Sequence, residues 1–254
     1  MGRVFEGAMA SWREWQEQPW GRLRYRQAEA NLARHLGSVP LRVLDLAGGD
    51  GRDAIPLAAL GHDVTIADFT PAMLAAAQER AAAAGVPVRC VEADLRELPA
   101  EIADGAFDLV LCHNVLPYLD DLSSGLAAAL APVRAGGLLS VIAINRHSEM
   151  PRLAALNDLP GALAALTATQ GYTGVFDTTV QLLTAEEVAA ELGSLGCAVV
   201  GNYGIRAVCD FIADQERKFE PEFYAALERL ELAVAGQEPY LRTARLFHLV
   251  SRKA

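Results

Sequence analysis

Val43-Leu44-Asp45-Leu46-Ala47-Gly48-Gly49-Asp50-Gly51 is a short β-rich run that ends in a cluster of glycines, and a helical pattern follows it to Leu60. Glycine permits backbone angles closed to other residues and lets a ligand approach the main chain. A helix that starts there presents free N–H groups. Outward from this point the alternation repeats. HDVTIAD (62–68) reads as a second strand ending on an acid, and Thr70-Pro71 opens the next helix, which runs to Gly85. VPVRCVEAD (86–94), FDLVLCH (107–113) and LLSVIAIN (138–145) read as further strands, with a helix at about 121–134 before the last of them. Such near-continuously apolar strands belong to a parallel sheet covered on both faces. CAVVGNYGIR (197–206) and ARLFHLVSR (244–252) supply a sixth and a seventh strand. Thr184-Ala-Glu-Glu187 reads as a capping box, and helices fill roughly 207–236. Residues 8–36 read as helix with a break near Pro19-Trp20-Gly21, and 146–183 are less regular.

The acids around the glycine loop narrow the ligand. Asp68 closes the second strand 17 residues past Gly51, where it can accept hydrogen bonds from a ribose diol. Gly49-x-Gly51-x-x-Ala54 satisfies the loose dinucleotide pattern, so a nicotinamide cofactor is one reading. Asp45 argues against it: a carboxylate there suits the ammonium of an amino-acid moiety and is a poor neighbour for a pyrophosphate. Asp94, after the third strand, can receive an adenine amino group. The set Asp45, Gly48, Gly49, Gly51, Asp68 and Asp94 therefore favours S-adenosylmethionine (SAM), with S-adenosylhomocysteine as product. No metal site is expected.

Composition bounds the partners. The chain has 254 residues, 52% of them hydrophobic, enough for one large α/β domain. Acids outnumber bases 32 to 22, a formal charge of -10 that repels phosphate backbones on average. All bases but Lys218 and Lys253 are arginine. Cys90, Cys112, Cys197 and Cys209 form no CxxC pair, which points to a reducing compartment rather than a zinc site. The N-terminal stretch lacks the apolar core of a signal peptide, and no apolar run approaches a membrane span. A cytoplasmic protein without a membrane partner is expected.

VLDLAGGDG, VTIADFTPAML, VEADLRELP and FDLVLCHNVLPYL resemble, in order, the motifs of class I SAM-dependent methyltransferases, with Ala47 where the first loop glycine usually stands. A closer resemblance joins LRYRQA (23–28), LRVLDLAGGDGRDAIPLAALGHDV (41–64) and LCHNVLPYL (111–119) to GIRAVCDF (204–211), FYAALERLELAVAGQEPY (223–240) and the closing ARLFHLVSRK. It is to the bacterial tRNA methyltransferases that act on 5-carboxymethoxyuridine. The resemblance implies a Rossmann-like fold with a seven-stranded, mostly parallel sheet, helices on both faces and a helical cap. One domain is expected over 1–254: a cap at 1–36, a SAM-binding core at 37–145, and acceptor-side insertions and closing strands at 146–254. The resemblance places Arg26, Ala47, Gly48, Asp68 and His113 on cofactor-contacting positions, with Phe69, Met73 and Leu95 beside them in its motifs. Where that family carries a lysine-rich stretch, 161–184 here holds neither lysine nor arginine.

His113 ends the fourth strand, a position for cofactor contact or for a base; a packing role is the plain alternative. Asn114 and Tyr118 follow and can orient an acceptor. Arg146, Arg206 and Arg245, with Tyr240, are candidates for an acidic acceptor, against the duller reading of surface salt bridges. Trp12, Trp15 and Trp20 are expected to pack against the domain rather than stack a base. The stripe Phe223, Leu227, Leu230, Val234 is likewise expected to be packing. The functions in play are a methyltransferase acting on the carboxylate of a modified tRNA uridine, a small-molecule N- or O-methyltransferase, and a non-catalytic SAM-binding protein.

Overall fold

The computed structural model describes residues 2–174 and 176–254. In chain order its elements are α1 (Gly2–Glu17), α2 (Pro19–Ala33), β1 (Arg42–Leu46), α3 (Ile55–Ala59), β2 (Asp63–Asp68), α4 (Pro71–Ala84), β3 (Arg89–Glu92), α5 (Ala100–Ala103) and β4 (Phe107–His113). Then come α6 (Leu122–Leu130), β5 (Val133–Ile144), α7 (Glu149–Ala155), α8 (Leu159–Ala165), β6 (Gln170–Thr173), β7 (Thr178–Gln181), α9 (Ala185–Ser194), β8 (Cys197–Ile205), α10 (Pro221–Val234), α11 (Tyr240–Thr243) and β9 (Leu246–Lys253). Seven strands form one sheet in the order β3-β2-β1-β4-β5-β9-β8. The first five neighbours pair parallel, and β9 lies antiparallel between β5 and β8.

Period-two alternation splits the sheet's side chains between two cores. Leu44, Leu46, Val110, Cys112, Leu139 and Val141 pack on one face with Leu126 and Leu130 of α6 and Val188 and Leu192 of α9. Val43, Leu109 and Leu111 point to the other face, against Ile55 and Leu57 of α3 and Leu74, Ala77 and Ala81 of α4. Helices on both faces bury the apolar runs, and the C-terminal ends of the parallel strands open on one edge. That edge is where ligands bind in open α/β sheets. Among the described residues no helix is long and apolar enough to cross a membrane.

Several boundaries differ from the sequence expectation. The first helical break falls at Gln18, and α2 runs on through Trp20 and Gly21. Gly21 is a point of close approach, because a Cβ there would lie 2.2 Å from the Trp15 carbonyl oxygen. α6 ends early and β5 begins at Val133, with a register shift against β4. Within 146–183 lie α7, α8 and an antiparallel hairpin, Gln170↔Gln181 to Thr173↔Thr178. The helices expected over 207–236 are two 3-10 turns, Cys209–Phe211 and Glu216–Phe219, followed by α10, which starts at Pro221, a residue that suits a first turn. The preceding backbone is instead claimed by Glu231, whose carboxylate accepts from the N–H groups of Ala207, Val208 and Cys209 at 2.8, 3.0 and 2.7 Å. The capping box at Thr184 and Glu187 is present. Leu227 and Val234 of the α10 stripe are buried, whereas Leu230 is largely exposed.

Candidate active site

A cleft of about 630 Å³ runs along the strand ends, and the strand order sets its layout. Phe69, Met73, Asp94 and Leu95 line it at the β2 and β3 end, and Asp45 with the glycine loop lines it over β1. His113 and Asn114 follow at the end of β4, then Ile144, Arg245, Leu246 and Arg206 at the ends of β5, β9 and β8. Three non-glycine residues on this rim, Ala47, Asn114 and Arg206, have φ of 52, 58 and 60°. Left-handed backbone of this kind gathers at functional strand ends.

At the loop the glycine pattern follows from the acid beneath it. A Cβ on Gly48 would lie 2.6 Å from Asp45 Oδ2. The Asp45 carboxylate is buried, and its Oδ2 has no hydrogen-bond partner. Burial, and next the Asp53 charge, push its pKa well above the ordinary value. Asp68 accepts from the Gly49 N–H at 2.9 Å and the Thr70 N–H at 2.8 Å. Those bonds orient both carboxylate oxygens and leave each a further acceptor position. Burial raises its pKa against those bonds. Asp94 is held by Arg96, at 2.5 Å between Nη2 and Oδ2. Gly51 is not part of the lining: a Cβ there would meet Ile66 Cδ1 at 2.7 Å, so it serves packing at φ 74°.

The N-terminal helices are tied to this loop. Gln16 Nε2 donates to the Asp50 carboxylate and to the Tyr25 hydroxyl, each at 3.0 Å, and Arg80 reaches Asp50 at 2.6 Å. Arg24 of α2 is fully buried on the cleft wall, with Nη1 2.6 Å from Asp53 Oδ2. Burial would raise the Asp53 carboxyl, but the Arg24 guanidinium and the His113 ring hold it well below the usual carboxylate range. Arg26 was expected at the cofactor. It points away, half exposed, with Nε 3.2 Å from Glu228 and Nη1 3.3 Å from Glu29. Arg24 and Arg26 stand two positions apart, so one α-helix faces them in different directions. Of the two, Arg24 lines the cleft.

The far end of the cleft carries a chain of buried ion pairs. Arg206 grips Asp210 (Nη2–Oδ2 2.7 Å), and Arg245 Nε lies 3.9 Å from the same carboxylate. Arg245 also pairs with Glu149, which Arg152 meets at 2.8 Å. Three guanidiniums thus share two carboxylates. Burial lowers the Arg245 pKa, opposed by Glu149. Arg206 is fixed through its own N–H, which donates to Gln27 Oε1 at 2.8 Å. Arg146 and Tyr240, expected on the acceptor side, lie outside the lining. Arg146 is drawn off to Glu187 at 2.6 Å, and the Tyr240 ring, on the short α11, is about half exposed.

The roof is aromatic. Trp12 stacks on Trp15 with ring centres 5.1 Å apart and lies 5.4 Å from Phe176 in the turn joining β6 and β7. Phe176 meets Tyr118 edge-on at 6.1 Å. Trp12 and Trp15, expected only to pack, line the cleft; Trp20 packs with Leu23 and Leu227 away from it. Burial pushes the Tyr118 hydroxyl up to about 12. Sequence reasoning passed over Arg24, Asp53, Ser140, Phe176 and His248.

Comparison with known proteins bears on this arrangement. A methyltransferase domain family matches residues 43–137. A tRNA 5-carboxymethoxyuridine methyltransferase of Escherichia coli O157:H7 is 30% identical over 229 residues, covering 86% of this chain and 82% of that protein. In fold the chain is similar to a SAM-dependent methyltransferase of Thermotoga maritima, a possible histamine N-methyltransferase (TM-score 0.69, 18% identity, all of both chains). It is also similar to a magnesium protoporphyrin IX methyltransferase of Synechocystis PCC 6803 with bound S-adenosylhomocysteine (TM-score 0.64, 15% identity, 100% of this chain and 97% of the other). The residues present fit the cofactor: a buried carboxylate oxygen without a partner at Asp45 suits an ammonium, and Asp68 stands at the end of the neighbouring strand with acceptor positions to spare. The chain is a SAM-dependent methyltransferase with a Rossmann-like, mostly parallel seven-stranded sheet. It belongs to the class I SAM-dependent methyltransferases and, within them, to the family of the tRNA 5-carboxymethoxyuridine methyltransferases.

Proposed function

We propose that this enzyme methylates a carboxylate carried on a modified uridine of tRNA, forming an ester. The carrying observation is the ion-pair chain at the β5, β9 and β8 end, where Arg206 and Arg245 line the cleft and three guanidiniums stand against two carboxylates. Arg206 and Arg245 bring guanidinium groups to the cleft wall, and the planar guanidinium fork matches a carboxylate. The name of the Escherichia coli relative agrees with that chemistry.

The residue roles follow the strand order. Asp45 takes the ammonium of SAM, Asp68 its ribose hydroxyls, and Phe69, Met73 and Leu95 flank the adenine, with Asp94 near its amino group. Arg24, whose Nε is a buried donor without a partner, faces the amino-acid carboxylate. When bound, the cofactor supplies an electrophilic methyl group on a sulfonium. Asn114, with an unpartnered buried Oδ1, and Tyr118 orient the acceptor between that group and the arginines. Residues 1–36 act as a cap, 37–145 hold the cofactor and 146–254 complete the acceptor side of one domain. The activity is assigned to the cytoplasm, where free thiols such as the four here persist.

A small carboxylic acid is the second reading. It is favoured by the formal charge of -10 and by the absence of any base in 161–184, at the aromatic roof. Labelled SAM offered with bulk tRNA and with a panel of carboxylic acids, amines and phenols separates the two. Label that enters tRNA and leaves in mild alkali is expected. Alkali-labile label on a small acid alone selects the second reading, and alkali-stable label on any acceptor overturns the carboxylate.

A further inference from the structure

His113 ends β4 on the cleft and is the natural first choice for a base that would deprotonate an acceptor. Its Nε2 is engaged elsewhere, and its Nδ1 faces the Asp53 carboxylate outside hydrogen-bond geometry. Nδ1 lies 3.2 Å from Asp53 Oδ2, and Nε2 lies 2.8 Å from Ser140 Oγ. The same hydroxyl lies 2.8 Å from His248 Nε2. Ser140 and His248 are fully buried, and the His113 side chain is only 4% exposed.

Ser140 has one proton and stands between two imidazole nitrogens. A hydroxyl donates once, so one ring must accept from it and the other must donate to it. Asp53 decides which. Paired with Arg24, it is ionised and can only accept, so the single proton of a neutral His113 sits on Nδ1. His113 Nε2 then accepts the Ser140 hydroxyl, and His248 Nε2–H donates to Ser140. His248 Nδ1 is left bare, and it is a buried nitrogen with no partner. The charged and titratable groups facing His113 are Asp53 from the turn before α3, Arg24 from α2 behind it, and His248 from β9. Burial holds both imidazoles neutral.

We propose that His113 is a positioning residue and not the base: its one basic nitrogen is turned into the sheet onto Ser140, its Nδ1–H steadies Asp53 beneath Arg24, and the acceptor must reach the cleft already deprotonated. This rests on the carboxylate reading for its last clause alone. Amines and alcohols that need a base are then poor acceptors for a stated geometric reason.

The test begins without an acceptor. Long-range proton–nitrogen NMR of the full-length protein should find His113 in the Nδ1–H form and His248 in the Nε2–H form, neither titrating between roughly pH 6 and 9. An Nε2–H His113, or one that titrates in that window, overturns the proposal whatever the acceptor proves to be. Kinetics with bulk tRNA supply the second arm. A base contributes roughly 10²–10⁴-fold and shows as a limb of the pH profile, so His113→Asn should lower kcat through lost positioning by less than that and leave the shape of the pH profile unchanged. A loss beyond 10²-fold, together with loss of a pH limb that the native enzyme shows, refutes it. Label that never enters tRNA refutes the substrate assignment instead and leaves the tautomer result to decide the histidine.

Discussion

The two ends of the cleft are built differently. Over β3, β2 and β1 the groups proposed to face the cofactor come from short contiguous motifs, Asp45 to Gly49 and Asp68 to Met73, joined by parallel strands in register from Arg42↔Asp63 to Leu46↔Ala67. Over β5, β9 and β8 the site is gathered from afar. Arg206 is fixed by Gln27, 179 residues earlier, and Arg245 pairs with Glu149, 96 residues earlier. The cofactor end uses acids with spare acceptor positions. The end proposed for the acceptor uses arginines already paired with carboxylates. A strand–loop–helix motif is a self-sufficient binding device, whereas an acceptor pocket is a meeting of segments and varies with them.

The comparison fails first if Arg24 is an ordinary surface charge. Arg24→Met leaves Asp53 buried with only His113 beside it, and removing one member of a buried pair costs about 3–5 kcal/mol. Arg26→Met breaks exposed pairs and should cost less than about 1 kcal/mol. Denaturant melts of the two variants should differ accordingly, and equal melts would erase the distinction between them. The division of labour is tested next. Asp68→Ala should weaken SAM binding by at least about tenfold, or roughly 1.4 kcal/mol, in calorimetry, with the acceptor KM unmoved. Conversely, Arg245→Lys keeps the charge but loses the fork, and it should raise the acceptor KM by up to about tenfold while SAM affinity holds. Movement of both constants in both variants would mean the ends are not separate.

The smallest effect concerns Asp45. Its carboxyl is raised in the free protein by burial and by Asp53, whereas an ammonium partner favours the ionised form. Binding therefore expels a proton wherever the free protein still holds one. SAM affinity should rise as pH climbs toward the raised pKa and level off above it, by at most about tenfold per pH unit. The Asp45→Asn variant should bind more weakly and show no such slope. A slope that survives in it points to another group.

Legibility followed the same division. The five parallel strands, the two closing strands and the loop acids were readable because each announces itself within about ten residues, through apolar runs and strand-end carboxylates. Arg24 was not. Its helix buries Arg24, Gln27, Ala28 and Asn31, a stripe at helical spacing made mostly of polar residues, so hydrophobic periodicity passes it by. Gly51 was misjudged because a glycine that admits a ligand and one that admits Ile66 look alike in a string of letters. Arg146 and Tyr240 were chosen by residue type, and only the tertiary structure shows Arg146 committed to Glu187 and Tyr240 half exposed outside the cleft lining. Ser140 sits in an apolar strand with no neighbouring clue, and its meaning appears once β4, β5 and β9 lie side by side.

The position of β9 has a consequence for synthesis. It enters the sheet between β5 and β8, pairing from Ile144↔Leu246 to Leu138↔Arg252 on one side and from Ile205↔Leu246 to Cys197↔Lys253 on the other. Until residue 253 has cleared the ribosome, β5 is an open edge and β8 has no place to dock. A nascent chain can assemble the glycine loop early, yet Arg245 and His248 arrive only with β9. The growing polypeptide thus holds an apolar, unpaired edge from the completion of β5 until β9 emerges, the kind of surface on which chaperones act and stalled chains aggregate.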